Sequence, residues 1–270
     1  MKIHSSAIIS PDAELADDVE IGPFVCIEGP ATIASGCIVQ AHAVLSGTVR
    51  LGKNNTIGYG AIIGAPPQDF GFRPETRSEV VIGERNTIRE YCTIHRGTTE
   101  GSATRVGDDN FLMAGAHLAH NVSLGNNVII ANNSLLGGHV EVQDRVFIGG
   151  GSVFHQHMRV GTLAITQGLS GFSKDIPPYC IGAEINYVAG LNVVGLRRAK
   201  FSAEQRREIK EAFALFYNSG LNASQAIEKA HARKWNDTAS IFFDFITAAK
   251  KRGVCALLRT KSASLGEDEP

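Results

Sequence analysis

Val106-Gly107-Asp108-Asp109-Asn110-Phe111-Leu112-Met113-Ala114-Gly115-Ala116-His117-Leu118-Ala119-His120-Asn121-Val122-Ser123-Leu124 carries an aliphatic residue at every sixth position: Val106, Leu112, Leu118 and Leu124. A period of six matches neither the helical repeat of about 3.6 nor the simple alternation of a strand. It fits a solenoid of short, flat strands joined by tight corners, each strand turning one aliphatic side chain inward. The same phase runs on through Ile130, Leu136, Val142, Ile148, Phe154 and Val160, lapses at Thr166 and returns at Phe172. Upstream it holds at Ile3, Ile9, Leu15, Ile21, Ile27, Ile33, Val39, Leu45, Leu51, Ile57 and Ile63, and again at Ile82, Ile88 and Ile94. No other phase does this, which sets aside a chance pattern in a β-sandwich. Three hexads make one triangular coil, and coils stack at about 4.7–4.9 Å. Gly, Asn and Asp at the corners supply backbone with positive φ.

The phase breaks near 64–80 and 97–105. An insertion in a solenoid must leave it as an external loop, commonly on the binding face. The first carries Pro66-Pro67-Gln68-Asp69-Phe70-Gly71-Phe72. These features predict a β-helix over 1–190, a helical domain over 191–260 and a polar tail over 261–270. In the helical part, Ser202-Ala203-Glu204-Gln205 reads as a capping box ahead of Ile209, Phe213 and Phe216, with Gly220 as a stop. A second helix is expected from Asn222. A third holds Ile241, Phe242, Phe245 and Ile246 and ends near Gly253.

Composition narrows the function. A net charge of −1 gives no global field for nucleic acid. The five cysteines are scattered, odd in number and lack a CxxC pair, which reads as reduced thiols. No apolar run approaches a membrane span, and the first residues show no secretory signal, so a cytoplasmic protein is expected. The basic run Arg197, Arg198, Lys200, Arg206, Arg207 and Lys210 is either a solvated face or a dock for an acidic partner.

An aliphatic solenoid has little use for histidine, yet His117, His120, His139 and His155 cluster, with His157 beside the last. Reduced by the coil length, His120, Gly138 and Gln156 are equivalent positions, so His120, His139 and His155 are expected to stack along one edge. Three readings stay open on spacing alone. They are structural histidines at an oligomer interface, a metal site, and a general base with neighbours that bind an anionic ligand.

The segment Gly115-Ala116-His117-Leu118-Ala119-His120-Asn121 resembles the active-site segment of the acyl-[acyl-carrier-protein]:UDP-N-acetylglucosamine O-acyltransferases, hexapeptide-repeat transferases of lipid A biosynthesis. Thr93-Ile94-His95-Arg96-Gly97-Thr98, Leu136-Gly137-Gly138-His139-Val140, His155-Gln156, Asp175-Ile176-Pro177-Pro178-Tyr179 and Gly195-Leu196-Arg197-Arg198 match as well. The similarity covers nearly the whole chain.

It implies a left-handed parallel β-helix, all-β, followed by a small α-helical domain. It implies transfer of a 3-hydroxyacyl chain from acyl carrier protein to the 3-position of UDP-N-acetylglucosamine by a homotrimer, without cofactor or metal. In that reading His120 is the general base and the Gly138 N–H stabilises the oxyanion. His117, His139, His155 and Gln156 hold substrate groups, Gln68 and Asp69 contact the sugar nucleotide, and Asn192 and Arg198 meet its phosphates or uridine. Gly168 stands where the family's acyl-chain ruler sits and leaves room for a long chain.

Two departures bear on chemistry. Asn121 replaces the usual Asp beside the base, a swap that in hydrolases can cost about 10⁴ in rate. Phe70-Gly71-Phe72 lacks the usual loop Lys and resembles members that acylate a 3-amino-3-deoxy sugar, forming an amide. N-acylation of such an analogue is therefore the alternative. A β-helical metalloenzyme and a non-catalytic scaffold are remoter ones.

Overall fold

The computed structural model describes residues 1–249 and 252–258. Two-residue strands predominate, and each pairs in parallel with the strand one coil further on. His117 and Leu118 face Leu135 and Leu136, which in turn face Val153 and Phe154. The result is a left-handed parallel β-helix with three walls of 12, 9 and 8 strands. The hexad residues fill its axis. Ile57, Ile63, Ile88, Ile94, Leu112, Leu118, Ile130, Leu136 and Ile148 are all fully buried. Each such side chain contributes about 1.5–3 kcal/mol of apolar burial. The lapse at Thr166 is accommodated because its Oγ1 accepts from the Gly149 N–H at 2.9 Å. In the first coil the hexad residue Ile3 is exposed, and so is the outward-facing Ile8.

The corners depart from the expected Gly/Asn/Asp chemistry. Positive φ is also borne by Phe24, His42, Arg85, Tyr91, His139, Arg145, His157, Leu163 and Leu169. Such non-glycine residues cost about 1–3 kcal/mol each and persist where neighbours over-determine them. Buried asparagines help to do so. Asn55 Oδ1 accepts from the Asn86 N–H at 2.8 Å, Asn86 Oδ1 from Asn110 at 2.9 Å, and Asn110 Oδ1 from Val128 at 2.7 Å.

The strand pairings bridge both excursions, since Ile63 faces Ile94 and Ile82 faces Val106. The chain leaves the second wall after Ala65 and again after His95, each time returning to the third wall, at Glu79 and at Ala103. Past Pro178 a parallel strand, Cys180–Ala183, extends the first wall and turns back antiparallel as Tyr187–Leu191.

Helices α1 (Val193–Arg198), α2 (Ala203–Tyr217), α3 (Ala223–His231) and α4 (Asp237–Thr247) follow. The capping box at Ser202 and Gln205 is present, and Asn222 with Gln225 forms a second. α1 was not expected from periodicity, being short and capped by Asn192. α4 ends at Thr247 rather than near Gly253, because the chain must return to the solenoid. There Asp175 N–H donates to Gly253 O, Cys255 N–H donates to Asp175 O, and Ala256–Leu257 pairs with Tyr187–Val188. Strand therefore occurs inside the span expected to be helical. The polar tail lies outside the described residues. Among the described residues no helix is long and apolar enough to cross a membrane.

Candidate active site

The wall that carries Thr93–His95, His117–Leu118, Leu135–Leu136 and Val153–Phe154 turns Ile94, Leu118, Leu136 and Phe154 inward and Thr93, His117, Leu135 and Val153 outward. Stacking brings the outward ones together. A cleft of about 360 Å³ is lined by Gln68, His95, His117, His120, Gly138, His155 and Gln156, with Phe154 on its floor. Gln68 arrives from the first excursion. His95 fixes that excursion to the coil, since its Nδ1 lies 2.6 Å from Pro66 O, a pure acceptor. His95 packs edge-on to His117 at 5.2 Å, and Thr93 Oγ1 lies 2.7 Å from His117 Nδ1. Burial, with a smaller push from His95, lowers the His117 pKa to about 4, so this imidazole is neutral at neutral pH.

His120 sits on the corner. A Cβ added at Gly138 would fall 2.4 Å from its Cε1 and 2.6 Å from its Nε2, so the ring lies directly on the Gly138 backbone. Among the described residues nothing accepts from the Gly138 N–H. A base and a free amide donor thus share one end of the cleft, the pairing that acyl transfer requires. On its other side His120 Nδ1 is 3.0 Å from Asn121 Oδ1.

The expected ring column is corrected in one member. His120 meets His139 edge-on at 5.3 Å, and His139 stacks face-to-face on His157 at 4.4 Å. The third ring is His157, not His155, because His157, like His139 and Asn121, occupies the left-handed corner. His155 lines the cleft instead, with Arg252 Nη1 3.3 Å from its Nδ1. Burial, then His157 and His120, lower the His139 pKa.

Six sequence candidates do not line the cleft: Asn121 and His139, which adjoin His120, and Asp69, Asn192, Arg198 and Gly168. Asp69 is exposed and its Oδ1 accepts from the Gly71 N–H at 2.7 Å, closing its own loop. Asn192 has both ends of its amide engaged, accepting from the Gly195 N–H and donating to Leu163 O, each at 2.9 Å. Arg198 is exposed on α1, and Gly168 is exposed at a corner beside Leu169. Residues that sequence reasoning missed are Thr98, Thr104 and Arg252. Only the first stood in a quoted motif, and no spacing rule assigns it a role. Among the described residues no group of three His, Cys, Asp or Glu side chains is placed to hold a metal ion.

Known proteins share this fold. The family described as UDP-N-acetylglucosamine O-acyltransferase, domain 2, matches residues 175–255, and the bacterial transferase hexapeptide repeat matches 12–47 and 103–138. An acyl-[acyl-carrier-protein]–UDP-N-acetylglucosamine O-acyltransferase from Campylobacter concisus is 37% identical over 247 residues, 90% of this chain and 94% of that one. The chain belongs to the acyl-[acyl-carrier-protein]–UDP-N-acetylglucosamine O-acyltransferase family. A second O-acyltransferase, from Herminiimonas arsenicoxydans, is 43% identical over 226 residues, 83% of this chain and 86% of its own. The crystal structure of a UDP-N-acetylglucosamine acyltransferase from Bacteroides fragilis superposes with a TM-score of 0.88 at 38% identity, covering 95% of this chain and 100% of that one. The family fold is thus reproduced end to end, helical domain included.

Proposed function

We propose that this acyltransferase moves a 3-hydroxyacyl chain from acyl carrier protein to the 3-position of UDP-N-acetylglucosamine, the first step of lipid A biosynthesis. The carrying observation is the His120 ring seated on Gly138, beside an unpaired amide donor, at the head of a cleft lined by polar side chains. The sugar hydroxyl gives its proton to His120 Nε2 as its oxygen attacks the thioester carbonyl. The resulting oxyanion accepts from the Gly138 N–H. Collapse breaks the C–S bond, leaving an ester, and the proton passes to the departing carrier thiolate. Family membership and the names of the relatives support the donor and acceptor. The reaction as written needs no cofactor.

The working unit is a homotrimer in the cytoplasm. Asn192, Arg198 and Gly168 stand outside the cleft within one chain, which a neighbouring copy would remedy. Exposed apolar side chains such as Ile62, Leu135 and Val153 on the wall that carries the site give that copy a surface.

One observation favours the second reading, N-acylation of a 3-amino-3-deoxy analogue. No Asp or Glu lines the cleft among the described residues, and the partner of the base is a neutral amide. An amine asks less of its base than an alcohol does. The test is thioester release from 3-hydroxyacyl carrier protein, run in parallel on UDP-N-acetylglucosamine and its 3-amino analogue. Turnover of the first supports O-acylation. Turnover of the analogue alone replaces it with N-acylation, and silence with both overturns the assignment.

A further inference from the structure

Asn121 Oδ1 gathers three donors or near-donors. The Thr98 N–H lies at 3.1 Å, Thr98 Oγ1 at 3.0 Å and His120 Nδ1 at 3.0 Å. An amide side chain is ambiguous by itself, because a half-turn exchanges its oxygen and nitrogen. A backbone N–H removes the ambiguity, since it only donates. With the amide flipped, Nδ2 would face the Thr98 N–H as two donors in contact. The atom between Thr98 and His120 is therefore the oxygen, and an oxygen at hydrogen-bond distance from Nδ1 requires the proton on Nδ1. Neutral imidazole carries one proton, so Nε2, the nitrogen packed against Gly138 on the cleft side, keeps its lone pair.

We propose that Thr98 is a positioning residue: it locks the Asn121 amide so that a neutral side chain selects the imidazole tautomer which a carboxylate would otherwise select. A carboxylate needs no such lock, because both its oxygens accept. An unlocked Asn could turn its NH2 toward Nδ1 and leave the proton on Nε2, where the base is useless. This is the failure expected when an Asn replaces the orienting Asp without support. The lock is rigid for a physical reason. Thr98 belongs to the second excursion, whose return strand presents Thr104. The buried Thr104 hydroxyl accepts from the Asn121 N–H at 2.8 Å and donates to His95 O at 2.6 Å. The excursion thus grips Asn121 by both its backbone and its side chain. The dyad residue itself sits in left-handed backbone, φ 61°, which aims its side chain back toward His120.

The inference rests on His120 acting as base, but its first test does not. In resting protein labelled with ¹⁵N-histidine, the His120 signals, assigned by their loss in His120→Gln, are expected to show Nδ1 protonated and Nε2 bare. A proton on Nε2 overturns the proposal whatever the activity. The second test is a cycle of Thr98→Val, Asn121→Asp and the double variant, read as kcat and KM. Removing the hydroxyl, one of the two orienting donors, is expected to lower kcat about 3–10-fold with Asn121 present, the worth of one hydrogen bond. In the Asn121→Asp background the loss should shrink below about 2-fold, with KM steady throughout. Equal losses in both backgrounds, or a change in KM alone, would mean that Thr98 merely supports the loop. If instead no acceptor sugar is ever acylated while Nδ1 carries the proton, the functional reading fails and the lock stands.

Discussion

Gly138→Ala should separate catalysis from stability. A Cβ there would stand 2.4 Å from His120 Cε1, 2.6 Å from Nε2 and 3.0 Å from Nδ1, and the three nearest atoms all belong to that ring. Ordinary contact begins near 3.4 Å, so the ring must retreat by about 1 Å, which breaks the 3.0 Å contact with Asn121. A displacement of that size in a reacting group costs about 10²-fold, and outright loss of a general base about 10²–10⁴-fold. Stability should hardly change. Gly138 lies outside the left-handed region, so alanine suits its backbone and restricts the unfolded chain by about 0.4–1 kcal/mol. Loss of one side-chain hydrogen bond offsets this by about 0.5–1.5 kcal/mol. The expected result is kcat about 10²–10³-fold below wild type, with Tm within about 3 °C. Thioester release and calorimetry on one preparation measure both. Retention of kcat within about 3-fold, less than about 1 kcal/mol in the barrier, would refute the placement of the base on Gly138.

Three further outcomes follow from the same geometry. His120→Ala should abolish acyl transfer, down by at least about 10²-fold, while circular dichroism and Tm stay at wild-type values; residual activity near wild type would move the base elsewhere. Leu118→Ala, which empties a fully buried position stacked between Ile94 and Leu136, should cost about 2–5 kcal/mol in thermal or denaturant unfolding. A loss under 1 kcal/mol would contradict the tight axial packing, given the cavity cost of about 24 cal/mol per Å³. The lowered pKa of His117, about 4 against an ordinary 6.5, makes the unfolded chain bind more protons between those values. Its contribution to stability is therefore fully present above pH 6.5 and is lost as pH falls toward 4, with His139 acting in the same direction. Tm should drop less between pH 7 and pH 5 in His117→Gln than in wild type, and an equal drop would show that His117 is solvated.

The acid-labile histidines illustrate where legibility stopped. That His120 and His139 would meet was readable, because their column positions follow from the 18-residue coil that runs unbroken over 106–160; that His117 and His155 would line one cleft with His120 was not. That His117 would be buried against His95 was not, since the second histidine lies one coil away across an insertion of another length. The ring above His139 was misassigned for a similar reason. Residue spacing gave the column, but the left-handed corner at His139 and His157 decides which way each ring leaves it. Asn121 stood out in the sequence as a weakened partner for a base. Only the convergence of Thr98 on its carbonyl oxygen shows how a neutral amide is oriented for the task.

The sequence by itself determined the solenoid, its two excursions and the capped helix from Ala203. Each of these depends on a short-range property: which side of a strand an aliphatic residue faces, or which side chain reaches an N–H three residues away. Tertiary structure alone decided the corner conformations at His139 and His157, the return of Ala256–Leu257 to the first wall, and the meeting of Gln68, His95 and Thr98 around the dyad. The last of these brings Gln68 and Thr98, from excursions that share no period with the coil, to residues of the coil itself. Nothing local fixes where an excursion folds back; that is settled by packing and by hydrogen bonds such as His95 to Pro66 and Thr104 to His95, which exist only once the coils have stacked.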